Sequence, residues 1–178
     1  MESKAKVAGH PVHPMLVTFP IGLLVTAIIF DIIHLASGES RWAEVSWYMI
    51  GAGLIGGLVA AVPGWIDWFA IPRNTRAKRI GLIHGLGNVA MLVLFAVSWL
   101  LRRDAPGAPP VEAIVVGFVG AGIMTVTGWL GGELVDRLGV GVDDGAHLDA
   151  PNTLSGLPAA ARSHEYAGVE RRAYGARR

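Results

Sequence analysis

Two histidines three residues apart, each followed by a proline, are the first side chains whose types and spacing suggest chemistry. His10 and His13 precede an almost wholly apolar stretch. Proline disfavours the α conformation in the residue before it, so extended backbone is expected at both histidines. A third histidine, His84, stands four residues before Asn88 near the start of a later apolar stretch. Imidazoles bind transition metals, and two imidazoles from facing helices can bind a haem iron on its two sides.

Carboxylates and an amide accompany these histidines near the ends of the apolar stretches. Such groups commonly orient a ligating imidazole by bonding its second ring nitrogen. The candidate haem or metal ligands are therefore His13, His84 and His10, and the candidate orienting groups are Asp67, Asn88 and Glu133. No Ser-His-Asp triad or carboxylate pair stands out, so the sequence predicts no catalytic residue and favours a protein that is not an enzyme.

Each of these groups also has an interpretation that needs no cofactor. His10 and His13 can cap a helix or contact lipid headgroups. His84 and Asn88 can be an interhelical hydrogen-bonding pair, which is worth about 1 kcal/mol in lipid. Glu133 can be solvated, because an apolar stretch ends there.

For two aspartates an ion pair is an interpretation that needs no cofactor. For Asp67 the favoured interpretation is a pair with Arg73, with Arg76 or with a histidine. Asp31 lies three residues before His34 and can pair with it locally. No partner for Asp31 on another helix is evident from the sequence.

Four long apolar stretches carry these side chains and predict a membrane protein. Apolar residues make up 52% of the 178 and charged residues only 16%, with a mean hydropathy of +0.47. A soluble domain carries about 25% charged residues, and about 20 apolar residues suffice to cross a bilayer. We predict an all-α integral membrane four-helix bundle in one domain, residues 1–142, with spans at about 14–36, 45–70, 80–101 and 111–131.

Both ends of the chain are predicted to lie outside the bundle. Met1–Gly9 is polar and is expected to be an exposed tail. Residues 143–178 are rich in Asp, Gly, Pro, Ala and Arg without a sustained periodicity. We expect this segment to be a flexible, mostly disordered tail.

The composition excludes several classes of function. The chain has no cysteine, which excludes disulfides, thiolate catalysis and cysteine-ligated iron–sulfur clusters. Its net charge of +1 argues against nucleic acid as a partner. The glycines at 51, 53 and 56 have the spacing of a dinucleotide loop but no preceding strand, so helix packing is the favoured interpretation.

Basic residues near the span ends predict the orientation. The more basic side carries Lys4, Lys6, Arg137 and the loop at 73–79, and the other side carries Arg41, Arg102 and Arg103. The positive-inside rule therefore places both termini and the middle loop in the cytoplasm.

Six short segments together resemble a bacterial family of four-span membrane proteins, the domain of unknown function DUF2231. They are HPVHP at 10–14, FPIG at 19–22, GWIDW at 64–68, IPRNTRA at 71–77, the pair His84 and Asn88, and GGELV at 131–135. The resemblance covers about Gly9–Val142 and excludes the tail. It implies a location in the bacterial inner (plasma) membrane.

The resemblance also bears on function. Some relatives are joined to Rieske-type or cytochrome c domains, which implies a redox setting by association. Many members carry a histidine where Leu138 stands here, so a site built from several histidines would lack that ligand in this chain.

Two hypotheses follow, with different tests. The first is a membrane subunit that binds haem b or a transition metal through the cytoplasmic-side histidines and serves electron transfer. The second is a cofactor-free structural or assembly subunit of a larger membrane complex. Both imply the lipid bilayer and other membrane proteins as partners, and the first implies redox proteins. A small transporter ranks last, because four spans leave little room for a substrate path.

Overall fold

Four long helices form the fold of the part of the chain that the structure, a computed structural model, describes, residues 1–162. They are α1 (Val12–Ser37), α2 (Ser40–Ala70), α3 (Arg76–Leu101) and α4 (Val111–Gly132), and a π-helical turn at Glu133–Arg137 continues α4. Two short antiparallel strands, β1 (Lys6–Val7) and β2 (His10–Pro11), precede α1. Each helix is long and apolar enough to cross a membrane. The predicted all-α four-helix membrane fold is confirmed.

Local sequence signals set the helix limits. α1 ends where Gly38 adopts a left-handed conformation, φ 72°, and its N–H donates to the carbonyl of His34. α3 begins after Thr75, whose side chain accepts the N–H of Lys78. Pro20 and Pro63 lie inside α1 and α2 without ending either helix. At 1.5 Å per residue, the 26 residues of α1 exceed the roughly 30 Å of bilayer hydrocarbon.

The helices pack as two antiparallel pairs, α1 with α2 and α3 with α4. The buried core where the pairs meet is formed by Leu24, Ala27, Ile50, Met91 and Phe95. We call the two ends of the bundle the histidine end, where α1 and α3 begin, and the arginine end, where Arg102 follows α3.

A wholly buried ion pair joins α1 to the end of α3 at the arginine end. Both carboxylate oxygens of Asp31 accept from the guanidinium of Arg102, at 2.6 and 2.8 Å. Ser46 Oγ, 3.3 Å from the same guanidinium, adds a contact to α2. Asp31 therefore pairs with Arg102 and not locally with His34. Gly117 lies directly beside this buried polar group, since a Cβ there would lie 3.3 Å from Ser98 Oγ and 3.6 Å from Arg102 Nη2.

The N-terminal segment is folded rather than exposed, contrary to the expectation for Met1–Gly9. β1 and β2 form a hairpin whose turn places Ala8 and Gly9 at positive φ, 49° and 81°. Ser3 is only 5% exposed. We call residues 3–11 the N-terminal hairpin. The polar sequence suggested a solvated tail, but Ser3, Lys4 and Ala5 donate hydrogen bonds to Asp67 of α2 instead of to water.

The segment after α4 lies against the N-terminal hairpin. Lys6 Nζ donates to Asp143 at 2.5 Å, and the methyl group of Thr153 occupies the space that a Cβ at Gly9 would need. Residues 143–162 form turns and one 3₁₀ turn at Thr153–Ser155. The remainder of the predicted flexible tail, residues 163–178, lies outside the described part of the chain.

Candidate functional site

Two imidazoles meet between the helix pairs at the histidine end. The ring centroids of His13 and His84 are 6.4 Å apart, and the ring planes are perpendicular, at 90°. The approach expected from the depth of the two residues in their spans is therefore present. His13 lies in the first turn of α1 and not in extended backbone, so the expectation from Pro14 is wrong at this residue. A proline this early in a helix removes no helical hydrogen bond.

His13 is held by α2. Its Nδ1 lies 2.8 Å from the main-chain carbonyl oxygen of Ala60. A carbonyl only accepts, so Nδ1 carries the proton and donates it. One turn later comes Gly64, where a Cβ would lie 2.8 Å from His13 Cε1. The ring therefore lies against a gap that a glycine leaves in the surface of α2.

His84 is held by α4 in the same way. Its Nδ1 lies 2.8 Å from the carbonyl oxygen of Thr127. Four residues later comes Gly131, where a Cβ would lie 3.1 Å from His84 Cε1. Each helix pair thus supplies one histidine, one carbonyl that accepts from its Nδ1, and a glycine four residues after that carbonyl.

When a ring held in this way is neutral, its Nε2 atom is an unprotonated acceptor. Both rings line the cavity between the helix pairs. Asn88 Nδ2 lies 3.2 Å from His84 Nε2 and 2.9 Å from the carbonyl oxygen of His84. Asn88 Oδ1 accepts from the Thr127 hydroxyl at 3.0 Å. The amide is thereby tied to both α3 and α4.

A cavity of about 380 Å³ surrounds the two imidazoles. Ligand pockets usually fall between about 300 and 1,000 Å³. All four helices line this cavity, and its walls are largely apolar, with Trp65, Met91 and Met124 beside His13 and His84. It is thus a mostly apolar chamber with two imidazole acceptors inside.

Asp67 lies at the edge of this cavity but does not bond to either imidazole. Its carboxylate accepts from Ser3 Oγ at 2.7 and 2.9 Å, from Lys4 N at 2.6 Å and from Ala5 N at 3.2 Å. The expected pairing with Arg73, Arg76 or a histidine is therefore wrong. The N-terminal hairpin supplies these donors, and the polar sequence of that segment gave no signal that it would fold onto the bundle.

The other two candidates lie away from the imidazoles. His10 is exposed in β2 and does not line the cavity. Glu133 accepts from Arg76 Nη2 at 2.6 Å, so it is paired instead of solvated or bonded to a histidine. Within residues 1–162 no group of three or more His, Asp or Glu side chains is close enough to hold one metal ion.

Sequence reasoning missed the groups that fix the imidazoles. The carbonyls of Ala60 and Thr127 belong to the main chain, so the residue type at these positions does not indicate that they bind an imidazole. The glycines at 64 and 131 belong to the segments that carried the family resemblance, but their spacing from the carbonyls is visible only in the structure.

Comparison with known proteins places the chain in a family. The family model described as "Predicted membrane protein (DUF2231)" matches residues 9–144. Among curated proteins and solved structures, the searches found no significant match. The matched segment contains all four helices and both imidazoles. Because it covers well over half of the sequence, the chain belongs to the DUF2231 family of predicted membrane proteins.

Proposed function

We propose that this membrane protein binds haem b between His13 and His84 and serves electron transfer in the bacterial inner membrane. The observation that carries the proposal is the pair of imidazoles, each fixed through Nδ1 to a main-chain carbonyl and both lining one cavity. A hydrogen bond from the second ring nitrogen to a carbonyl is the usual way in which a protein orients a ligating histidine.

The number of ligands favours haem over a bare metal ion. A structural zinc site takes four protein ligands and a catalytic one takes three. Here the described residues bring two imidazoles together, without a third His, Asp or Glu within reach. Haem iron needs only axial ligands from the protein, because the macrocycle supplies the others.

The spacing of the rings is consistent with one metal atom between them. Metal–imidazole nitrogen bonds are about 2.0–2.1 Å long for zinc. Two imidazoles on opposite sides of one metal would then place their ring centroids about 6 Å apart. The observed separation is 6.4 Å.

The walls of the cavity suit an apolar macrocycle. Five glycines, at 57, 64, 85, 128 and 131, line the cavity and leave space there because they have no side chain. Trp65, Met91 and Met124 provide apolar contacts. When bound, haem would supply one-electron transfer, with its potential influenced by the axial ligands and by burial. The chain's own contribution is to hold both imidazoles through Nδ1, to surround them with largely apolar walls, and to place the site near the proposed cytoplasmic face.

One contact favours the alternative of a cofactor-free structural or assembly subunit. Asn88 Nδ2 lies within hydrogen-bond distance of His84 Nε2, so this acceptor already has a donor without any metal. In that case His84, Asn88 and Thr127 would form a polar cluster that joins α3 to α4.

The absorption spectrum of the purified full-length protein, expressed with adequate haem and metal supply, separates the two functions. Bound haem predicts a Soret band that shifts or collapses in both His13→Ala and His84→Ala. His10→Ala is the matched control, because His10 is exposed at the same end of the bundle, and its spectrum should be unchanged.

Two other outcomes would contradict the haem proposal. A colourless protein with near-stoichiometric metal by elemental analysis, lost in both cavity variants, would indicate a non-haem metal site. A colourless, metal-free protein would leave the structural subunit as the function.

A further inference from the structure

We propose that the N-terminal hairpin is a latch, closed by Asp67, that positions His13 and controls exchange of the occupant of the cavity. Asp67 is then a positioning residue that acts through the main chain without touching the ring. The part of this inference that concerns the occupant rests on the proposed function. The latch itself can be tested without any cofactor.

A short path of main-chain hydrogen bonds connects the Asp67 carboxylate to His13. Asp67 Oδ1 accepts the N–H of Ala5 at 3.2 Å. The carbonyl of Ala5 in turn accepts the N–H of Val12 at 2.8 Å. Val12 is the first residue of α1 and directly precedes His13. One residue, Ala5, and two hydrogen bonds thus separate the carboxylate from the backbone that carries the imidazole.

One face of α2 holds both the ring and the backbone of His13. Ala60, Gly64 and Asp67 are spaced four and then three residues apart, so they lie on the same side of the helix. Ala60 accepts from the ring, Gly64 makes room for it, and Asp67 secures the chain that leads into it. Release of the Asp67 contacts would therefore free the backbone while leaving the ring with a single hydrogen bond.

Among residues 1–162, no such segment holds the backbone of His84. It lies more than two turns inside α3, where helical hydrogen bonds on both sides fix its backbone. Asp67 follows Gly64 by three residues, and the corresponding position after Gly131 is occupied by Leu134, which is apolar and buried. Of the two imidazoles, His13 is the one whose position depends on a separate segment.

The chain that follows α4 also bonds to Met1, just before the hairpin. The N-terminal amino group of Met1 donates to the carbonyl of Gly139 at 3.0 Å, and Gly141 N–H donates to the carbonyl of Met1 at 3.0 Å. Val140 and Gly141 line the cavity together with Pro11. The hairpin and this segment therefore close the cavity at the histidine end, and an open hairpin would uncover His13.

The latch is tested first by hydrogen–deuterium exchange in the full-length protein without haem. Asp67→Asn keeps the size of the side chain but replaces one acceptor oxygen with an NH₂ group. We expect backbone exchange in residues 3–12 to become at least about tenfold faster, with exchange in α3 unchanged. Asp136→Asn, the same substitution at an exposed residue of the same end, is the control. Unchanged exchange in the hairpin would overturn the latch.

Ser3→Ala is the second variant, since it removes one donor and leaves the Asp67 carboxylate intact. It should accelerate exchange in the same segment by a smaller factor, and Ser3→Thr, which keeps a hydroxyl, should restore the slow rate. A folded Ser3→Ala variant that exchanges like the wild type would also contradict the latch, even if Asp67→Asn failed to fold.

Release of ferric haem to excess apomyoglobin then tests control of the occupant. We expect release at least about tenfold faster in Asp67→Asn than in the wild type, and no change in Asp136→Asn. Equal release rates would show that the hairpin does not govern haem exchange, and the haem proposal would still stand. If the wild type fails to bind ferric haem, the proposed function fails instead, and the exchange measurement alone decides the latch.

Discussion

Asp31 and Arg102 form a bidentate ion pair with both side chains fully buried, at the end of the bundle opposite the imidazoles. The pair joins the first helix pair to the second. Arg102 Nη2 also lies 3.4 Å from the carbonyl of Ala113, at the start of α4. An ion pair therefore holds the helices together at the arginine end, whereas the histidine end contains a cavity.

Loss of one partner of this pair should destabilise the bundle strongly. Asp31→Asn leaves the Arg102 charge without its counter-charge in apolar surroundings, and breaking a buried pair in this way costs about 3–5 kcal/mol. Unfolding in detergent followed by circular dichroism measures the change. Arg103→Met is the control, because Arg103 is exposed, and its effect should stay within about 0.5 kcal/mol. An Asp31→Asn protein as stable as the wild type would contradict the structural role of the pair.

Glycines at 64 and 131 should be required for the site but not for the fold of the helices. In Gly64→Ala the new methyl group would lie 2.8 Å from His13 Cε1, and in Gly131→Ala it would lie 3.1 Å from His84 Cε1. Each imidazole must therefore move, and we expect affinity for ferric haem to fall at least about tenfold, or about 1.4 kcal/mol.

The control for these variants is Gly122→Ala on α4, where a Cβ would have no atom of residues 1–162 within 4 Å. Its haem affinity should match that of the wild type, and its helix should be as stable or slightly more stable, because alanine is the better helix former. Equal haem titrations for all three variants would show that these glycines do not seat the imidazoles.

The hold on the N-terminal hairpin should weaken at alkaline pH. Hydrogen bonds from Lys6 to Asp143, and next to Glu2, raise the pKa of this lysine above its ordinary value of 10.5. Because the pKa is higher in the folded state, the contribution is fully present below the unfolded pKa and is lost as the pH rises through the folded pKa.

A spin label at Val7→Cys reports this change, since the natural chain has no cysteine and Val7 is exposed. Its mobility should rise above about pH 10.5. In a Lys6→Met background it should be high already at neutral pH. Equal mobility at neutral pH with and without Lys6 would contradict a role for this lysine in holding the hairpin.

The orientation predicted from the basic residues places Thr75 in the cytoplasm and Ser40 outside. Single cysteines at these two positions, treated with an impermeant thiol reagent on intact cells, should react at Ser40 only. Labelling at Thr75 but not at Ser40 would reverse the orientation and move the imidazoles to the outer face. Ser3, another polar position, is unsuitable because its hydroxyl is buried against Asp67.

The fold could be predicted from sequence because it depends on apolar length and on helix-ending signals. The depth of His13 and His84 also follows from counting residues along spans that begin at the same end. The partners of the carboxylates could not be predicted. Asp67 bonds to main-chain N–H groups, which every residue has, and Asp31 bonds to an arginine that the sequence places at a span boundary.

Electron paramagnetic resonance of the ferric, haem-loaded protein tests the central claim most directly. Two axial imidazoles make ferric haem low-spin, and the perpendicular ring planes of His13 and His84 predict the highly anisotropic form of that signal. In His13→Ala and His84→Ala the signal should become high-spin, whereas His10→Ala should leave it unchanged. A high-spin signal in the wild type, or a low-spin signal that survives both cavity variants, would contradict haem binding between these two histidines.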